Sequence, residues 1–531
     1  MKLLHEHVSE WAHRAPESIA MVMAGERVTY GELECASNRL ARALRESGCR
    51  PGDRVCLLLP KSPMAIIAII AALKAGCIYV PMDLASPVTR LERVIASCEP
   101  ACILAAQPAE TLLDQLSVQD LRLGWVDRAT LRGEIAPVFS LADVDVLPDA
   151  PIASTTSLID AAHILFTSGS TGIPKGVVIT HANVSHFVEW AIRFFGIIAG
   201  DKNSGHPPLH FDLSTFDMFG TFAAGAELHL VPPEVNLLPH KLVQFIRDSE
   251  LTQWFSVPST LAYMAGFDAV RLGDFPSLKR LLWCGEVLSS RVLAYWMRRL
   301  PHVAFTNLYG PTEATIASSF YSMRQIPENE PVPIPIGMGC DGERLLVLDE
   351  ALRRSPIDEI GDLYIEGVGL SPGYWRDLEK TNAVFIDHVD ANDIRHRIYR
   401  TGDLARIDSD GLVHFHGRCD SQIKSRGYRI ELGEIEAALS SLESLKESAV
   451  VAIQSDGFDG NSICCAYVGS NHTGVTPEMI SRELTRLVPA YMVPSRWMSL
   501  DSLPKNPNGK VDRGVLRRLF AERRPTAAKA A

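Results

Sequence analysis

The chain has 531 residues, of which 47% are hydrophobic and 22% charged, and its formal net charge is −11 at pH 7. This size and composition indicate a globular protein with more than one domain and a large buried core. The negative charge argues against a nucleic-acid or anionic-membrane surface, so we expect neither partner. The eleven cysteines have neither CxxC spacing nor a His-rich tract, which disfavours a zinc site and predicts reduced thiols in a cytoplasmic protein.

The N-terminal segment "MKLLHEHVSEWAHRAPE" carries acids and histidines where a signal peptide needs an apolar core, so secretion is not expected. The longest apolar run follows at residues 62–76. Ser62 can cap a helix, Pro63 suits its first position and Gly76 can end it. Because the run is too short to span a bilayer, it predicts a buried helix.

Strand-like runs alternate with helical patterns over much of the chain. Those at residues 53–59 and 77–83 flank the apolar helix, and the same rhythm recurs between residues 251 and 286. This alternation predicts parallel α/β layers. From about residue 341, short strands broken by Gly and Asp predict a smaller β-rich unit. Residues 431–445 then predict an amphipathic helix in a final α+β region.

Residues 165–180, "LFTSGSTGIPKGVVIT", crowd glycines and hydroxyls between two apolar runs. The glycines let backbone N–H groups approach an anion, and the hydroxyls and Lys175 add donors and positive charge. Both flanks are typical of strands and Lys175 is followed by Gly176, so this is not a Walker loop that opens into a helix. A flap that closes over a phosphate is favoured over a polar hairpin turn. Its predicted nucleotide-binding residues are Thr167, Ser168, Gly169, Ser170, Thr171 and Gly172.

Four further motifs follow this loop in the chain. They are "NLYGPTEATI" at 307–316, "YRTGDLARI" at 399–407, "GRCDSQIKSRGYRIELGEIE" at 417–436 and "PKNPNGKVDR" at 504–513. In this order the five motifs resemble those of the adenylate-forming enzymes, in particular the amino-acid adenylation domains of nonribosomal peptide synthesis. The resemblance spans nearly the entire chain. "CGEVL" at 284–288 adds some likeness to D-alanine:carrier-protein ligases.

The resemblance implies an α/β fold with two domains. A large N-terminal domain would combine layered α/β subdomains with a β-rich subdomain, and a small mobile C-terminal domain would be α+β. We expect the adenylation core, with the ATP and amino-acid site, at residues 1–419 and the mobile domain at 420–531. Asp420 falls at the family's hinge position. Gly427, which lacks a side chain, would let a phosphopantetheine arm pass.

The implied reaction has two halves and requires ATP and Mg²⁺. A carboxylate attacks the α-phosphorus of ATP and releases pyrophosphate, and a thiol then takes the acyl group from the acyl adenylate. Neither half needs a covalent enzyme intermediate. The protein must therefore position the reactants and neutralise phosphate charge.

The resemblance assigns the nucleotide site to residues of the central motifs. Tyr309 would offer a ring on which adenine stacks, and Asn307 an amide for its polar edge. Asp403 would accept hydrogen bonds from both ribose hydroxyls, and Arg418 would contact ribose and phosphate. Alone, either of these two charges could belong to an ordinary surface. Two further residues complete the predicted nucleotide site: Leu308 and Gly310.

The predicted catalytic residues act on phosphate charge. Thr312 would donate to the α-phosphate, Glu313 would hold Mg²⁺, and Lys175 would assist at the leaving phosphates. Lys510 would bridge the substrate carboxylate and the α-phosphate from the mobile domain, withdrawing when that domain swings. Outside this family, YGPTE would be an ordinary turn and Lys510 a solvated lysine at a hairpin tip.

The segment "HFDLSTFDMFG" at residues 210–220 is the most informative about the substrate. Asp212 falls where amino-acid-activating members keep an aspartate for the substrate ammonium, whereas acyl- and aryl-CoA ligases generally lack it. An unpaired desolvated carboxylate is costly, so Asp212 should reject plain acids. The alternative is a helix-capping or surface aspartate.

Alignment with the family gives a pocket in which only Asp212 and Lys510 are charged. Its large apolar residues shorten the cavity and favour a small uncharged amino acid. Alanine or a residue of similar size is predicted, and glycine, serine and a short β-amino acid stay open, as does chirality. The predicted pocket residues are Asp212, Leu213, Phe216, Ser256, Leu282, Cys284, Gly285, Leu308, Ile316 and Ala317, with Lys510 at the carboxylate end.

No segment of the sequence resembles a carrier or condensation domain. We therefore expect a stand-alone ligase that loads the phosphopantetheine thiol of a discrete acyl or peptidyl carrier protein, with coenzyme A as a less favoured acceptor. One alternative is an acyl-CoA synthetase acting on a carboxylic acid. Another is a nucleotide-binding regulatory module that has lost catalysis, against which the intact Lys510, Glu313 and Asp403 argue.

Overall fold

The chain divides into two compact units. The computed structural model describes residues 1–117, 122–132, 135–169, 173–323, 325–326, 333–390, 393–454, 461–470, 474–506 and 510–522. The larger unit comprises Met1–Leu84, Ile95–Phe166 and Lys175–Cys419. The smaller unit comprises Ala85–Val94, Thr167–Pro174 and Asp420–Ala531. Three residues of the predicted phosphate loop lie outside the described residues: Ser170, Thr171 and Gly172.

Helices occur throughout the described chain. They are α1 (Glu6–Arg14), α2 (Tyr30–Glu46), α3 (Pro63–Lys74), α4 (Val88–Cys98), α5 (Glu110–Leu113), α6 (Leu141–Asp145), α7 (His181–Phe195), α8 (Asp212–Ala224), α9 (Pro239–Asp248), α10 (Pro258–Gly266), α11 (Ser290–Arg299), α12 (Leu378–Val384), α13 (Leu432–Ser440), α14 (Pro477–Leu484) and α15 (Arg513–Glu522). Short 3₁₀ turns lie at Pro233–Leu237, Thr312–Ala314 and Ala490–Met492. No helix in the described ranges combines the length and the apolar character that crossing a membrane requires.

Strands connect these helices. They are β1 (Ile19–Met23), β2 (Glu26–Thr29), β3 (Arg54–Leu58), β4 (Ile78–Pro81), β5 (Cys102–Ala105), β6 (Leu123–Trp125), β7 (Phe139–Ser140), β8 (Ala161–Thr167), β9 (Lys175–Thr180), β10 (Lys202–Gly205), β11 (Glu227–Leu230), β12 (Gln253–Ser256), β13 (Arg280–Trp283), β14 (Ala304–Tyr309), β15 (Ser319–Met323), β16 (Met338–Gly339), β17 (Glu343–Leu348), β18 (Gly361–Gly367), β19 (Gly373–Tyr374), β20 (Phe385–Val389), β21 (Arg395–Ile407), β22 (Val413–Arg418), β23 (Gln422–Ser425), β24 (Tyr428–Glu431), β25 (Leu445–Gln454), β26 (Asn461–Gly469) and β27 (Arg496–Ser499).

Two long sheets form the α/β part of the larger unit. One has the order β16-β15-β14-β13-β12-β10-β11-β1-β2, and its strands from β14 to β1 are parallel. The other has the order β19-β9-β8-β4-β3-β5-β6-β7, with β8 and β4 to β7 pairing in parallel. Both parallel pairing and intervening helices agree with the predicted α/β layers.

A third, antiparallel sheet follows in the larger unit. It has the order β17-β18-β21-β20, with β22 on β21. This is the β-rich part that the Gly- and Asp-broken strands after residue 341 predict. Its strands β21 and β22 later supply two residues of the candidate site. The predicted strands on either side of the phosphate loop are also present: β8 ends at Thr167 and β9 begins at Lys175.

The apolar helix of residues 62–76 forms as its sequence predicts. The Ser62 hydroxyl accepts the Ala65 backbone N–H at 3.2 Å, and Pro63 occupies the first turn. After the helix, Gly76 has a φ of +70°, a left-handed conformation that glycine adopts without a Cβ penalty. Nearly all of α3 is buried, and its last residue, Lys74, pairs with Glu34 at 2.6 Å.

The smaller unit has its own sheet and core. Strands β25, β26 and β27 form one sheet and β23 and β24 a hairpin, with apolar residues of α13 and α14 packed into one cluster. The prediction of a helix over residues 431–445 is too long, since α13 ends at Ser440. The Ser440 hydroxyl donates to the Glu436 carbonyl at 2.8 Å, and the Ser441 hydroxyl donates to the Ala438 carbonyl at 2.7 Å. Such side-chain bonds compete with helix continuation.

A buried histidine makes the larger unit sensitive to acid. His163 on β8 is 1% exposed, and its ring lies 5.0 Å from that of Tyr79. Burial, reinforced by nearby His181, lowers the pKa of His163 to about 3. Below pH 6.5 the unfolded chain therefore takes up a proton that the folded chain does not. The stability that the neutral His163 contributes at pH 7 should therefore be lost progressively as the pH falls from 6.5 towards 3.

We expect His163→Leu to reduce this acid sensitivity. In the wild type, this one histidine should make the free energy of unfolding about 2 kcal/mol lower at pH 5 than at pH 7. Urea denaturation of both proteins at pH 7 and pH 5 measures the difference. The control is His240→Leu, which changes an exposed histidine at the start of α9. Equal pH dependence in wild type and His163→Leu would contradict the prediction.

Candidate active site

The loop after β14 is a tightly folded turn. A Cβ placed on Gly310 would lie 2.6 Å from the Ala317 Cα, so a larger residue would collide with backbone there. Thr315 and Ile316 have φ of +57° and +68°, which costs a β-branched residue roughly 1–2 kcal/mol each. The Thr315 hydroxyl donates to the Gly369 carbonyl at 2.6 Å and helps to hold this conformation. The strain is located where the YGPTE motif presents its polar side chains.

Asp403 lies at the centre of a buried polar cluster on the third sheet. Asp403 and Arg418 are directly opposite each other on β21 and β22, and the guanidinium donates to the carboxylate at 2.5 Å. The Tyr309 hydroxyl donates to the other carboxylate oxygen. Arg418 also donates to the Thr401 carbonyl at 3.1 Å, while the Thr401 hydroxyl accepts the Asp403 backbone N–H at 3.0 Å. Residues of three strands thus position one carboxylate.

Tyr309 stays a proton donor in this cluster. Burial and, next, the neighbouring Asp403 carboxylate raise the pKa of the Tyr309 phenol well above its usual range. The phenol is therefore neutral at physiological pH and its O–H points at Asp403. Asn307, two residues earlier, is 7% exposed, and its side-chain amide donates to the Pro335 carbonyl at 2.8 Å. Three of the predicted nucleotide residues, at positions 309, 403 and 418, are therefore in direct contact.

Glu313 is fully buried in the 3₁₀ turn Thr312–Ala314. The Tyr374 hydroxyl donates to its Oε1 atom at 2.8 Å, and the Ser371 backbone N–H donates to its carbonyl at 2.8 Å. The Lys175 ammonium lies 5.3 Å from the centroid of the Tyr374 ring. The phenol of Tyr374 thus contacts both the predicted metal-binding carboxylate and the Lys175 ammonium.

The chemistry of this carboxylate fits the predicted Mg²⁺ ion. Mg²⁺ prefers oxygen ligands and is commonly held by one or two carboxylates together with substrate phosphates and water. Among the described residues, no cluster of three or more His, Cys, Asp or Glu forms a complete protein cage. Glu313 supplies a buried carboxylate of the kind that such a shared site needs.

Asp212 begins α8, where a carboxylate also interacts favourably with the helix dipole. Its Oδ2 atom accepts a hydrogen bond from the Thr312 hydroxyl at 2.7 Å. The contact joins the segment that the sequence assigns to the amino group of the substrate and the motif that it assigns to the α-phosphate. The two predicted sites are therefore adjacent.

Most of the predicted pocket residues lie together in one apolar cluster. The Phe216 ring packs edge-on against Phe187 and Phe255, at 5.3 and 5.7 Å between centroids. The Cys284 thiol donates to the Ile316 carbonyl at 3.8 Å. Seven predicted pocket residues belong to this single cluster: Leu213, Phe216, Leu282, Cys284, Leu308, Ile316 and Ala317. Two others lie at the ends of adjacent strands, buried Ser256 on β12 and Gly285, with φ +98°, after β13.

Among the described residues, six predicted site residues belong to the smaller unit: Thr167, Ser168, Gly169, Asp420, Gly427 and Lys510. The Ser168 hydroxyl donates to the Arg429 carbonyl at 2.6 Å. The Asp420 carboxylate accepts the Gln422 backbone N–H at 3.0 Å, and Gly427 has a φ of +81°. Lys510, shortly before α15, is exposed. Their roles stay predictions.

Tyr374, Thr401 and Lys61 were not predicted from the sequence, although all three support the site. The Lys61 ammonium donates to the carbonyls of Gly205 and His206, at 3.0 and 2.8 Å, and so fixes the start of the segment leading to α8. Burial lowers the pKa of Lys61 to about 8. The sequence did contain a signal for Lys61, which is a lone charge between an apolar strand and an apolar helix. A lysine in such a place is rarely buried unless it is paired, so it indicates a specific partner.

Comparison with known proteins identifies the family. The sequence model of the AMP-binding enzyme family matches residues 8–375. The sequence model of the AMP-binding enzyme C-terminal domain matches residues 434–510. The chain belongs to the AMP-binding enzyme family. The membership among adenylate-forming enzymes that the motifs predict is thereby confirmed.

Curated relatives agree with this family assignment, and a solved structure agrees with the fold. The L-proline–[L-prolyl-carrier protein] ligase of Streptomyces coelicolor is 34% identical, with 92% of each chain covered. Surfactin synthase subunit 2 of Bacillus subtilis is also 34% identical over 97% of this chain, which spans only 14% of that protein. The Vibrio cholerae adenylation domain AlmE, in complex with glycyl-adenosine-5′-phosphate, gives a TM-score of 0.83 with 98% of each chain covered and 23% identity. The predicted fold class is confirmed.

Proposed function

We propose that this protein uses ATP to activate a small uncharged amino acid as an aminoacyl adenylate and then transfers it to the phosphopantetheine thiol of a carrier protein. One observation carries the proposal: the Asp212 carboxylate, at the edge of an apolar cluster, is bonded to the Thr312 hydroxyl of the YGPTE motif. An ammonium at Asp212 would place the substrate carboxylate of a small amino acid close to groups suited to an α-phosphate.

The apolar cluster supports an uncharged side chain. Leu213, Phe216, Leu282 and Ile316 are at most 4% exposed, so a charged side chain among them would be desolvated at high cost. We favour alanine or a substrate of similar size, and glycine, serine and a short β-amino acid stay open. Proline is a second candidate, because the ligase of Streptomyces coelicolor is named for it and its ring is also small and uncharged.

In the first half-reaction the protein orients groups and balances charge. Asp403 would accept the ribose hydroxyls, with Arg418 and Tyr309 holding its carboxylate in place. Thr312 would donate to the α-phosphate. Mg²⁺ bound at Glu313 would neutralise phosphate charge and so favour loss of pyrophosphate. Because preorganised donors lower the barrier mainly by electrostatics, no nucleophilic side chain is required.

In the second half-reaction a thiol attacks the acyl carbonyl and AMP leaves with the electron pair of the mixed-anhydride bond. We propose a discrete carrier protein as its source, since the full-length relative is named as a carrier-protein ligase. Coenzyme A is the alternative acceptor. Gly427, in a left-handed turn between β23 and β24, is proposed to lie on the path of the pantetheine arm.

Amino-acid-dependent ATP–pyrophosphate exchange tests the proposal. Wild-type protein should exchange with small uncharged amino acids, tested in both configurations together with proline and β-alanine. Asp212→Ala should lower kcat/KM for the best amino acid by on the order of 100-fold or more, because the ammonium loses its charged partner. The control, Asp248→Ala, changes an exposed aspartate on α9 and should leave exchange unchanged.

Two outcomes would refute the proposed substrate class. Exchange with plain carboxylic acids alone, unaffected by Asp212→Ala, would indicate an acyl-CoA synthetase. Nucleotide binding without exchange for any acid would indicate a regulatory module.

A further inference from the structure

Under the proposed function, the Thr312 hydroxyl has to donate a hydrogen bond to two acceptors. It donates to Asp212 at 2.7 Å, yet the α-phosphate needs the same proton. A hydroxyl carries a single O–H donor, so it cannot fully satisfy both acceptors at once. Asp212 likewise has a second partner, the substrate ammonium, which is a charged and stronger hydrogen-bond donor than a hydroxyl.

We propose that the Thr312–Asp212 hydrogen bond is a latch that couples the amino-acid site to the nucleotide site. This inference rests on the proposed function. While the amino-acid site is empty, Asp212 retains the hydroxyl and its negative charge opposes a phosphate nearby. When the ammonium binds, it neutralises Asp212 and displaces the hydroxyl, which then turns to the α-phosphate. Each ligand thereby strengthens the binding of the other.

The backbone around Asp212 and Thr312 is well held, so the Thr312 side chain is the part that moves. Asp212 is the first residue of α8, which is almost entirely buried after it. Thr312 begins a 3₁₀ turn in which the Thr315 backbone N–H donates to the Thr312 carbonyl at 3.1 Å. Rotation about the Cα–Cβ bond of Thr312 redirects its hydroxyl, and such rotations of partly exposed side chains are fast. Neither element needs to unfold.

A double-mutant cycle on nucleotide affinity tests the latch without any amino acid. Isothermal titration with AMP is performed on wild type, Asp212→Ala, Thr312→Val and the double variant. If the latch operates, Asp212→Ala frees the hydroxyl and tightens AMP binding roughly 5- to 150-fold in the Thr312 background. In the Thr312→Val background the same change should tighten binding much less, because the hydroxyl is absent.

The cycle separates the latch from simple charge repulsion. If only charge repulsion were at work, Asp212→Ala would tighten AMP binding equally in both backgrounds, and that result would overturn the proposal.

Asp212→Asn keeps an oxygen acceptor for the hydroxyl but removes the charge, so it should tighten AMP binding less than Asp212→Ala does. Adenosine lacks the phosphate, and its affinity should be the same in wild type and Asp212→Ala. If Thr312→Val does not fold, Thr312→Ala replaces it in the cycle.

A second measurement uses the amino acid selected by exchange. Saturating amino acid should tighten binding of α,β-methylene-ATP to wild type and to Thr312→Ser, which keeps the hydroxyl, by roughly 5- to 150-fold. The gain should largely disappear in Thr312→Val. Equal gains in all three proteins would overturn the latch. If no amino acid supports exchange, the proposed function fails, and the AMP cycle still decides whether the latch exists.

Discussion

Lys510→Ala should slow formation of the aminoacyl adenylate by roughly 100- to 1,000-fold, because the predicted role of Lys510 is to supply one preorganised positive charge to the transition state. The change should not disturb the fold. Lys510 is exposed, and its backbone N–H and carbonyl bond to the Asn506 side chain and backbone at 3.0 and 2.7 Å. These backbone bonds survive truncation of the side chain.

The two half-reactions distinguish the role of Lys510 from general damage. Single-turnover adenylation is measured first, and thiol transfer is then measured from chemically prepared adenylate, which bypasses the lysine. Only the first should be slow in Lys510→Ala. Lys505→Ala is the control, since this nearby lysine is also exposed and its ammonium pairs with Glu447 at 3.3 Å. Equal losses in both half-reactions would contradict a role confined to adenylation.

Local patterns predicted much of the fold. Helix α3 has a serine cap, a proline at its start and a glycine beyond its end, and each device acts over one or two turns. The parallel layers follow from strands and helices that alternate at short spacing. The end of α13 could not be predicted in this way, since Leu442 continues the apolar pattern after the serine hydroxyls have taken the last helical carbonyls.

The contacts within the site were less accessible from sequence. Motifs supplied Asp212, Thr312 and Glu313, but no pattern states that Thr312 bonds to a side chain 100 residues away or that Tyr374 bonds to Glu313. Such pairs depend on which strands are neighbours in the sheets. The strained residues 315 and 316 were also hidden, because β-branched residues are poor candidates for a left-handed turn.

Asp403→Ala should lower the stability of the larger unit strongly. The Arg418 and Asp403 side chains are 14% and 8% exposed, so truncating the acid leaves an uncompensated, mostly buried guanidinium. Removing one partner of a buried pair typically lowers the free energy of unfolding by about 3–5 kcal/mol. The Tyr309 hydroxyl loses its acceptor as well, which adds a desolvation penalty. Urea denaturation measures the loss.

Replacing both charges separates stability from nucleotide binding. In Asp403→Leu/Arg418→Met no charge remains unpaired, so much of the lost stability should return, since apolar replacement of a buried pair is often neutral or stabilising. Nucleotide affinity should not return, because the ribose hydroxyls still lack their carboxylate acceptor. AMP titration of the single and double variants checks this. A double variant that is stable and binds AMP as wild type does would show that the pair is structural only, and a ribose acceptor would have to be sought elsewhere.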